Sequence, residues 1–263
     1  MLLDTGVGGL TVLRELRKVL PNAPVIFAAD EAGRPYGTKT EAEVAARVSG
    51  LLGRMAERYK PRLICIACNT ASTIALDMVR DVLETPIVGT VPAIKPAALS
   101  SKTGVIGLLG TAGTIRQPYV DRLEKEFVGE GTLLRHAAPE LVEPAEQKLR
   151  GEPVDRAVLA AALNALTEHP QGLYIDHVIL GCTHFPLLKA ELEDVAVFDL
   201  GWSPDVRFID GSAGIARRIA SLLKDEKYAR SDPDFAVTTG NLDEFKRLSN
   251  VLEDLGLSRI TQF

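Results

Sequence analysis

Two cysteines stand at the ends of apolar runs, each followed by small polar residues: Ile66-Ala67-Cys68-Asn69-Thr70 and Leu180-Gly181-Cys182-Thr183-His184. A thiol with a pKa of about 8.5 works as a base in one protonation state and as an acid in the other. Two of them on opposite faces of one carbon would take a proton from one side and return one to the other. Such a pair inverts a centre in both directions. Asn69, Thr70 and Thr183, together with backbone amides, are suited to hold a carboxylate beside the thiols. The plainer reading of any free cysteine is a small buried hydrophobe. That reading suits Cys65, in the middle of its apolar run, better than Cys68 or Cys182.

Weaker signals surround these two. Cys65-Ile66-Ala67-Cys68 has the C-x-x-C spacing of redox and zinc sites, but it begins inside the run and no second pair supplies four ligands. Gly6-Val7-Gly8-Gly9 resembles a phosphate loop without the third glycine of G-x-G-x-x-G or a Gly-Lys-Ser/Thr ending. Asp4, next to this glycine turn, either caps the helix Leu10–Val19 or serves a site. His184 follows Cys182 by two residues, and Glu146 is a candidate to orient or charge it. His136, His169 and His177 show no supporting neighbours in sequence, and Lys39 has no accompanying pyridoxal phosphate pattern.

These groups need strand ends to position them. Val25–Ala28, Leu63–Ala67, Ile87–Gly89, Gly104–Leu109, Val178–Leu180, Arg207–Ile209 and Phe235–Thr238 read as strands. Several are apolar throughout, as in a parallel sheet covered on both faces. With only Met1–Leu3 before Asp4, a first strand is expected to be short. Thr40-Glu41-Ala42-Glu43 predicts a capping box opening a helix to about Tyr59. Further helices are expected over Ala71–Leu83, Pro153–His169, Leu187–Val195, Ser212–Tyr228 and Leu242–Gly256. Both thiols would then immediately precede a helix, whose N-terminus stabilises a thiolate.

Strand–helix alternation of this kind means an α/β, doubly wound architecture, with ligands beyond the carboxyl ends of the strands. Asp4, Cys68, Thr111, Cys182 and Asp210 fall at or near such ends. The turns after Leu3 and Leu109 are alike, as are the two cysteine segments, and this hints at a duplicated lobe. Residues 90–96 and 204–210 are the expected crossings. One lobe would comprise residues 1–92 plus 207–263, the other 93–206.

Composition narrows the functional classes. The chain of 263 residues has a formal net charge of −5, which disfavours nucleic acid as the main ligand. No run approaches the roughly 18 apolar residues of a membrane span, and the N-terminal segment carries no secretory signal. Three cysteines, an odd number, argue against a disulfide scaffold and for a reducing cytosol.

Asp4-Thr5-Gly6-Val7-Gly8-Gly9-Leu10-Thr11-Val12-Leu13, Pro35-Tyr36-Gly37-Thr38-Lys39, Ala67-Cys68-Asn69-Thr70-Ala71-Ser72 and Gly181-Cys182-Thr183-His184 resemble the bacterial glutamate racemases. Val91-Pro92-Ala93-Ile94-Lys95-Pro96 and Ile209-Asp210-Gly211 extend the resemblance over nearly the whole chain, in the family's order. It implies two α/β lobes in a pseudo-twofold relation with the active site in the cleft between them. It also implies no pyridoxal phosphate, metal or nucleotide cofactor. Cys68 would take the α-proton of D-glutamate and Cys182 that of L-glutamate. Asp4 would assist Cys68, and His184, with Glu146, would assist Cys182. Asp4, Thr5, Asn69, Thr70, Thr183 and His184 would surround the amino and α-carboxylate groups, and Tyr36 and Gly37 would offer backbone donors to the side-chain carboxylate. A cytoplasmic homodimer supplying D-glutamate for peptidoglycan is the implied setting.

The chain departs from the family pattern at Thr5, where serine is usual, and at Pro144, where an aliphatic residue is usual. Three other readings stay open on sequence. They are a racemase of the same fold acting on aspartate or another acidic substrate, a non-catalytic partner-binding protein on that fold, and a thiol redox protein built on Cys65 and Cys68.

Overall fold

The structure, a computed structural model, describes residues 1–224, 228 and 234–263. The chain divides into two compact units, Met1–Thr90 with Ser212–Phe263, and Val91–Gly211. Its strands are β1 (Leu2–Asp4), β2 (Ile26–Ala29), β3 (Ile64–Ile66), β4 (Ile87–Gly89), β5 (Val105–Gly110), β6 (Thr132–Ala137), β7 (His177–Leu180), β8 (Arg207–Ile209), β9 (Phe235–Thr238) and β10 (Arg259–Gln262).

The first unit holds a six-stranded sheet in the order β10-β9-β2-β1-β3-β4, and every pairing in it is parallel. Leu3, Ala28, Ile64 and Ile66 turn one face towards the helices Glu41–Tyr59 and Asn69–Val82, around buried Val48, Leu52, Met55 and Val79. The intervening residues Leu2, Phe27 and Cys65 are also buried. The helices Leu10–Val19 and Ser212–Leu222 pack against each other in the same unit. A strand buried on both faces must be apolar at consecutive positions, which is how β1 to β3 read. The capping box forms as expected: Thr40 Oγ1 accepts from the Glu43 amide, and the Glu43 carboxylate accepts from the Thr40 amide.

The second unit holds a parallel four-stranded sheet in the order β6-β5-β7-β8. Alternate residues of its central strands serve two different cores. Val105, Leu109, Val178 and Leu180 join the helix Arg156–Thr167 and the segment around Phe185. Ile106, Leu108 and Ile179 join Ile94, Ala97 and Val120 on the other face. This is the doubly wound pattern. The order is also that of β2-β1-β3-β4, four strands later in the chain, so the internal likeness of the two halves extends to topology.

Several boundaries differ from the sequence reading. Strands β6 and β10 were not anticipated; both are sheet edges with partly exposed residues, so neither forms an apolar run. The single helix expected over Leu242–Gly256 is three short pieces, Leu242–Phe245, Lys246–Leu248 and Ser249–Asp254. The helix expected from Ser212 to Tyr228 is seen over Ser212–Leu222, and positions 225–227 of that expectation lie outside the described residues. The helix expected over Pro153–His169 spans Arg156–Thr167, with Asp155 Oδ1 accepting from the Ala157 amide as its N-cap.

Candidate active site

In the first unit the site residues meet where β1 and β3 end. The Ala67 amide donates to the Leu3 carbonyl at 2.7 Å, which carries the chain from β3 past the end of β1 before it turns into helix Asn69–Val82. Cys68 is the N-cap of that helix, and its Sγ accepts from the Ala71 amide at 3.4 Å and faces Thr5 Oγ1 at 3.7 Å. A thiolate at this position would receive both an N–H donor and the positive end of the helix dipole. Thr5 is itself buried, so the hydroxyl expected from a serine there is kept and aimed at the thiol. Asp4, also buried, accepts through Oδ2 from the amides of Gly6 and Gly9 at 3.2 and 3.1 Å. It therefore holds the glycine turn in shape, and Gly9, not Asp4, is the N-cap of helix Leu10–Val19.

Asn69 and Thr70 form the first helical positions after Cys68 and are both buried. Among the described residues the Asn69 side-chain oxygen has no hydrogen-bond partner. A buried acceptor left unpaired costs on the order of 1–3 kcal/mol, so such a group is a natural place for a donor on a bound molecule. Tyr36 and Gly37 lie in a short 3-10 turn, Tyr36–Thr38, following a cis Arg34–Pro35 peptide bond.

In the second unit the same backbone contact recurs: the Gly181 amide donates to the Leu109 carbonyl at 2.7 Å, beyond which the chain reaches Cys182. Gly181 is required there, because a Cβ would stand 2.8 Å from both the Leu109 carbonyl oxygen and a Leu108 methyl. Cys182 Sγ lies 4.0 Å from Nδ1 of His184, and His184 Nε2 lies 3.2 Å from Glu146 Oε1. All four of Cys182, Thr183, His184 and Glu146 are buried. Arg150 approaches the other Glu146 oxygen at 3.9 Å. Pro144, the departure noted in sequence, is the third residue of helix Val142–Leu149. It sits in the first turn, where a missing N–H costs the helix nothing.

The setting of Cys182 corrects one expectation. No α-helix begins directly after it; the chain makes a 3-10 turn over Phe185–Leu188 with His184 at its N-cap, and α-helix starts only at Lys189. Pro186 lacks a donor, and the turn closes through Phe185 N to Cys182 O and Leu187 N to His184 O instead. The helix-terminus argument therefore applies to Cys68 alone. Cys182 has an imidazole beside it in place of a helix end.

Cys65 is fully buried in β3, and burial pushes its thiol up to about 12, as suits a packing residue. A second correction concerns His177, for which the sequence shows no supporting neighbours. It is buried between Asp176 Oδ1 at 2.8 Å and Ser100 Oγ at 2.9 Å, tying the start of β7 to the end of helix Ile94–Ser100. His136 faces Glu140 at 3.8 Å, and His169 accepts from the Gln171 amide. Sequence reasoning also passed over Asp30, a wholly buried carboxylate just past the end of β2 that Arg47, Tyr36 and Thr239 all engage. A cavity of about 470 Å³ opens at the other end of the first unit's strands, lined by Leu2, Leu16, Val25 and Leu63, and contains none of the site residues.

Comparison with known proteins places these features in context. A family model described as Asp/Glu/Hydantoin racemase matches residues 11–219. The glutamate racemase of Sphingopyxis alaskensis is 56% identical over 237 residues, covering 90% of this chain and 86% of that protein. Among solved structures, Escherichia coli glutamate racemase in complex with L-glutamate and the activator UDP-MurNAc-Ala is 38% identical. Its TM-score is 0.89, covering all of this chain and 97% of that one. Glutamate racemase from Thermus thermophilus in complex with β-chloro-D-alanine is 28% identical with a TM-score of 0.76, covering 100% and 95%.

Proposed function

The chain belongs to the Asp/Glu/hydantoin racemase family, and from that membership we infer that it is an amino-acid racemase, an isomerase that interconverts L- and D-glutamate. We further propose that the two strand-end thiols carry the reaction. Cys68 removes the α-proton of D-glutamate, Cys182 that of L-glutamate, and in each direction the other thiol returns a proton to the opposite face. Atoms balance without a redox partner: one C–H bond breaks, one forms, and the two thiols exchange protonation states. The observation that carries this reading is the recurrence of one arrangement in both units, a buried thiol outside any disulfide placed just past the strand that hydrogen-bonds Leu3 or Leu109.

The remaining roles follow from position. Asp4 and Thr5 act beside Cys68, and His184, charged and oriented through Glu146, acts beside Cys182. The substrate ammonium donates to the Asn69 side-chain oxygen, while Thr70 and Thr183 serve the α-carboxylate. The backbone amides of Tyr36 and Gly37 receive the side-chain carboxylate. Two positioned thiols supply both the acid and the base, so the mechanism calls on no pyridoxal phosphate or metal ion. We place the protein in the cytosol as a homodimer whose D-glutamate feeds peptidoglycan synthesis. No helix among the described residues is long and apolar enough to cross a membrane.

Circular dichroism of purified protein with L- or D-glutamate, and no cofactor added, tests the reading. Both enantiomers should converge on the same racemic end point. Inversion of aspartate but not glutamate would move the assignment to another acidic substrate, and no inversion of either would overturn it.

A further inference from the structure

Asp30 is wholly buried, yet each of its oxygens has two donors. Oδ1 accepts from Arg47 Nη2 at 2.7 Å and Thr239 Oγ1 at 2.6 Å, while Oδ2 accepts from Arg47 Nε and Tyr36 Oη, both at 2.5 Å. The Asp30 amide donates to the Asp4 carbonyl at 2.8 Å, so the same residue is fixed to the strand end that carries the Cys68 side of the site. Burial works against ionisation of Asp30, but the hydrogen bonds from Arg47, Thr239 and Tyr36 outweigh it and hold the carboxyl below the usual range. Burial and the adjacent Asp30 charge push the Tyr36 phenol far above its usual value, so it stays a neutral donor. The cluster is thus a fixed carboxylate gripping a tyrosine hydroxyl.

Gly33 makes the grip possible. A Cβ at that position would stand 2.2 Å from Arg47 Nε and 2.3 Å from Asp30 Oδ2. Any side chain there would drive the guanidinium off the carboxylate, although the backbone itself needs no glycine conformation. Tyr36 is anchored twice, as a buried member of the core cluster that includes Val44 and Val48 and through its hydroxyl on Asp30.

We propose that Asp30 and Arg47, admitted by Gly33, are positioning residues for the substrate's side-chain carboxylate, because they lock the turn whose Tyr36 and Gly37 amides receive it. This inference rests on the reading of those amides given above. It predicts a penalty in KM for glutamate that exceeds any change in kcat, and no penalty for a substrate without a side-chain carboxylate.

The test uses Gly33→Ala, Arg47→Gln and Arg47→Lys, with Tyr36→Phe as a fourth variant read on glutamate alone. Losing a hydrogen bond to a charged group should raise KM for glutamate about ten-fold in Gly33→Ala, Arg47→Gln and Tyr36→Phe, with kcat changed less than about three-fold. Arg47→Lys keeps the charge without the fork and should fall between wild type and Arg47→Gln. Elimination of HCl from β-chloroalanine, which has no side-chain carboxylate, should stay within about two-fold of wild type in Gly33→Ala and Arg47→Gln, since no group at the reacting carbon is touched. Wild-type KM in folded Gly33→Ala and Tyr36→Phe, or equal losses for glutamate and β-chloroalanine, would overturn the proposal. Wild-type enzyme separates the two levels of the argument. No preference for glutamate over 2-aminobutyrate would remove the underlying reading, whereas clear preference with unchanged variant KM removes only the positioning role.

Discussion

Nε2 of His184 lies 3.2 Å from Oε1 of Glu146, and both side chains are buried. The opposite ring nitrogen is the one that points to Cys182, at 4.0 Å. A carboxylate on one nitrogen fixes the tautomer and orientation of the ring and stabilises its protonated form. Cys182 thus stands in line with His184 and Glu146, while Cys68 has a helix N-terminus and Thr5 beside it, and under the mechanism proposed above these would be the groups that serve each thiol. The two directions of the reaction should respond differently to damage.

On that basis His184→Asn should slow L-to-D turnover more than D-to-L, by about ten-fold or more in kcat, the usual range for a positioned acid or base. Glu146→Gln should act in the same direction but more weakly, since the amide keeps a hydrogen-bonding oxygen beside the ring and loses only the carboxylate's charge. Steady-state rates measured separately in each direction decide the matter. Equal slowing in both directions, or none, would place His184 outside the proton path.

Asp4→Asn provides the matching test on the other side. Its Oδ2 holds two amides of the glycine turn, and an asparagine can present its own oxygen to them. The shape should survive while the charge beside the Cys68 side is lost. The expected outcome is an unchanged melting temperature with kcat reduced about ten-fold or more, chiefly for D-glutamate. A variant that melts far earlier would show that Asp4 acts mainly on the turn.

Asp176 is one of the carboxyls that contribute to the acid limb of stability. Burial would raise its carboxyl, but hydrogen bonds from His177, Ser101 and the amides of Lys102 and Thr103 bring it down to about 2. In the unfolded chain the group titrates near 3.9. A carboxyl depressed on folding stabilises the protein fully above the unfolded value and loses that contribution as pH falls through the folded one. The window is therefore about pH 4 down to pH 2. Asp176→Asn should lower the melting temperature at pH 7 and flatten its decline across that window. Superimposable melting profiles for variant and wild type would sink the idea.

The sequence exposed Cys68 and Cys182 because each follows a strand and precedes polar residues, a pattern legible within five positions. The central strands were legible for a similar local reason, since burial on both faces demands unbroken apolar runs. Asp30 was not, because its partners are separated from it in sequence: Arg47 lies 17 residues on, in helix Glu41–Tyr59, and Thr239 lies 209 residues on, beside Asp30 through the pairing of β2 with β9. Edge strands β6 and β10 escaped notice because an edge need not be apolar. The 3-10 turn after Cys182 is not legible in sequence because Pro186, immediately before the expected helix Leu187–Val195, suits the approach to an α-helix as well as a 3-10 turn.

The two-thiol assignment admits the sharpest test. Cys68→Ser or Cys182→Ser replaces a thiol of pKa about 8.5 with an alcohol that hardly ionises near neutrality. Serine is close in size, so either variant should fold while racemisation is nearly abolished, because inversion needs both an acid and a base. Elimination of HCl from a β-chloro substrate needs a base on one face only, and the surviving thiol should select the enantiomer. Cys182→Ser should retain the D-type substrate through Cys68, and Cys68→Ser the L-type through Cys182. Cys65→Ser is the control. Its site is fully buried in β3, so a hydroxyl there should cost stability on the order of 1–3 kcal/mol without touching turnover. Polarimetry, chloride release and urea denaturation on the three variants give the answer. Full racemase activity in either single-serine variant at the strand ends, or lost turnover in a folded Cys65→Ser, would show that the wrong thiols had been chosen.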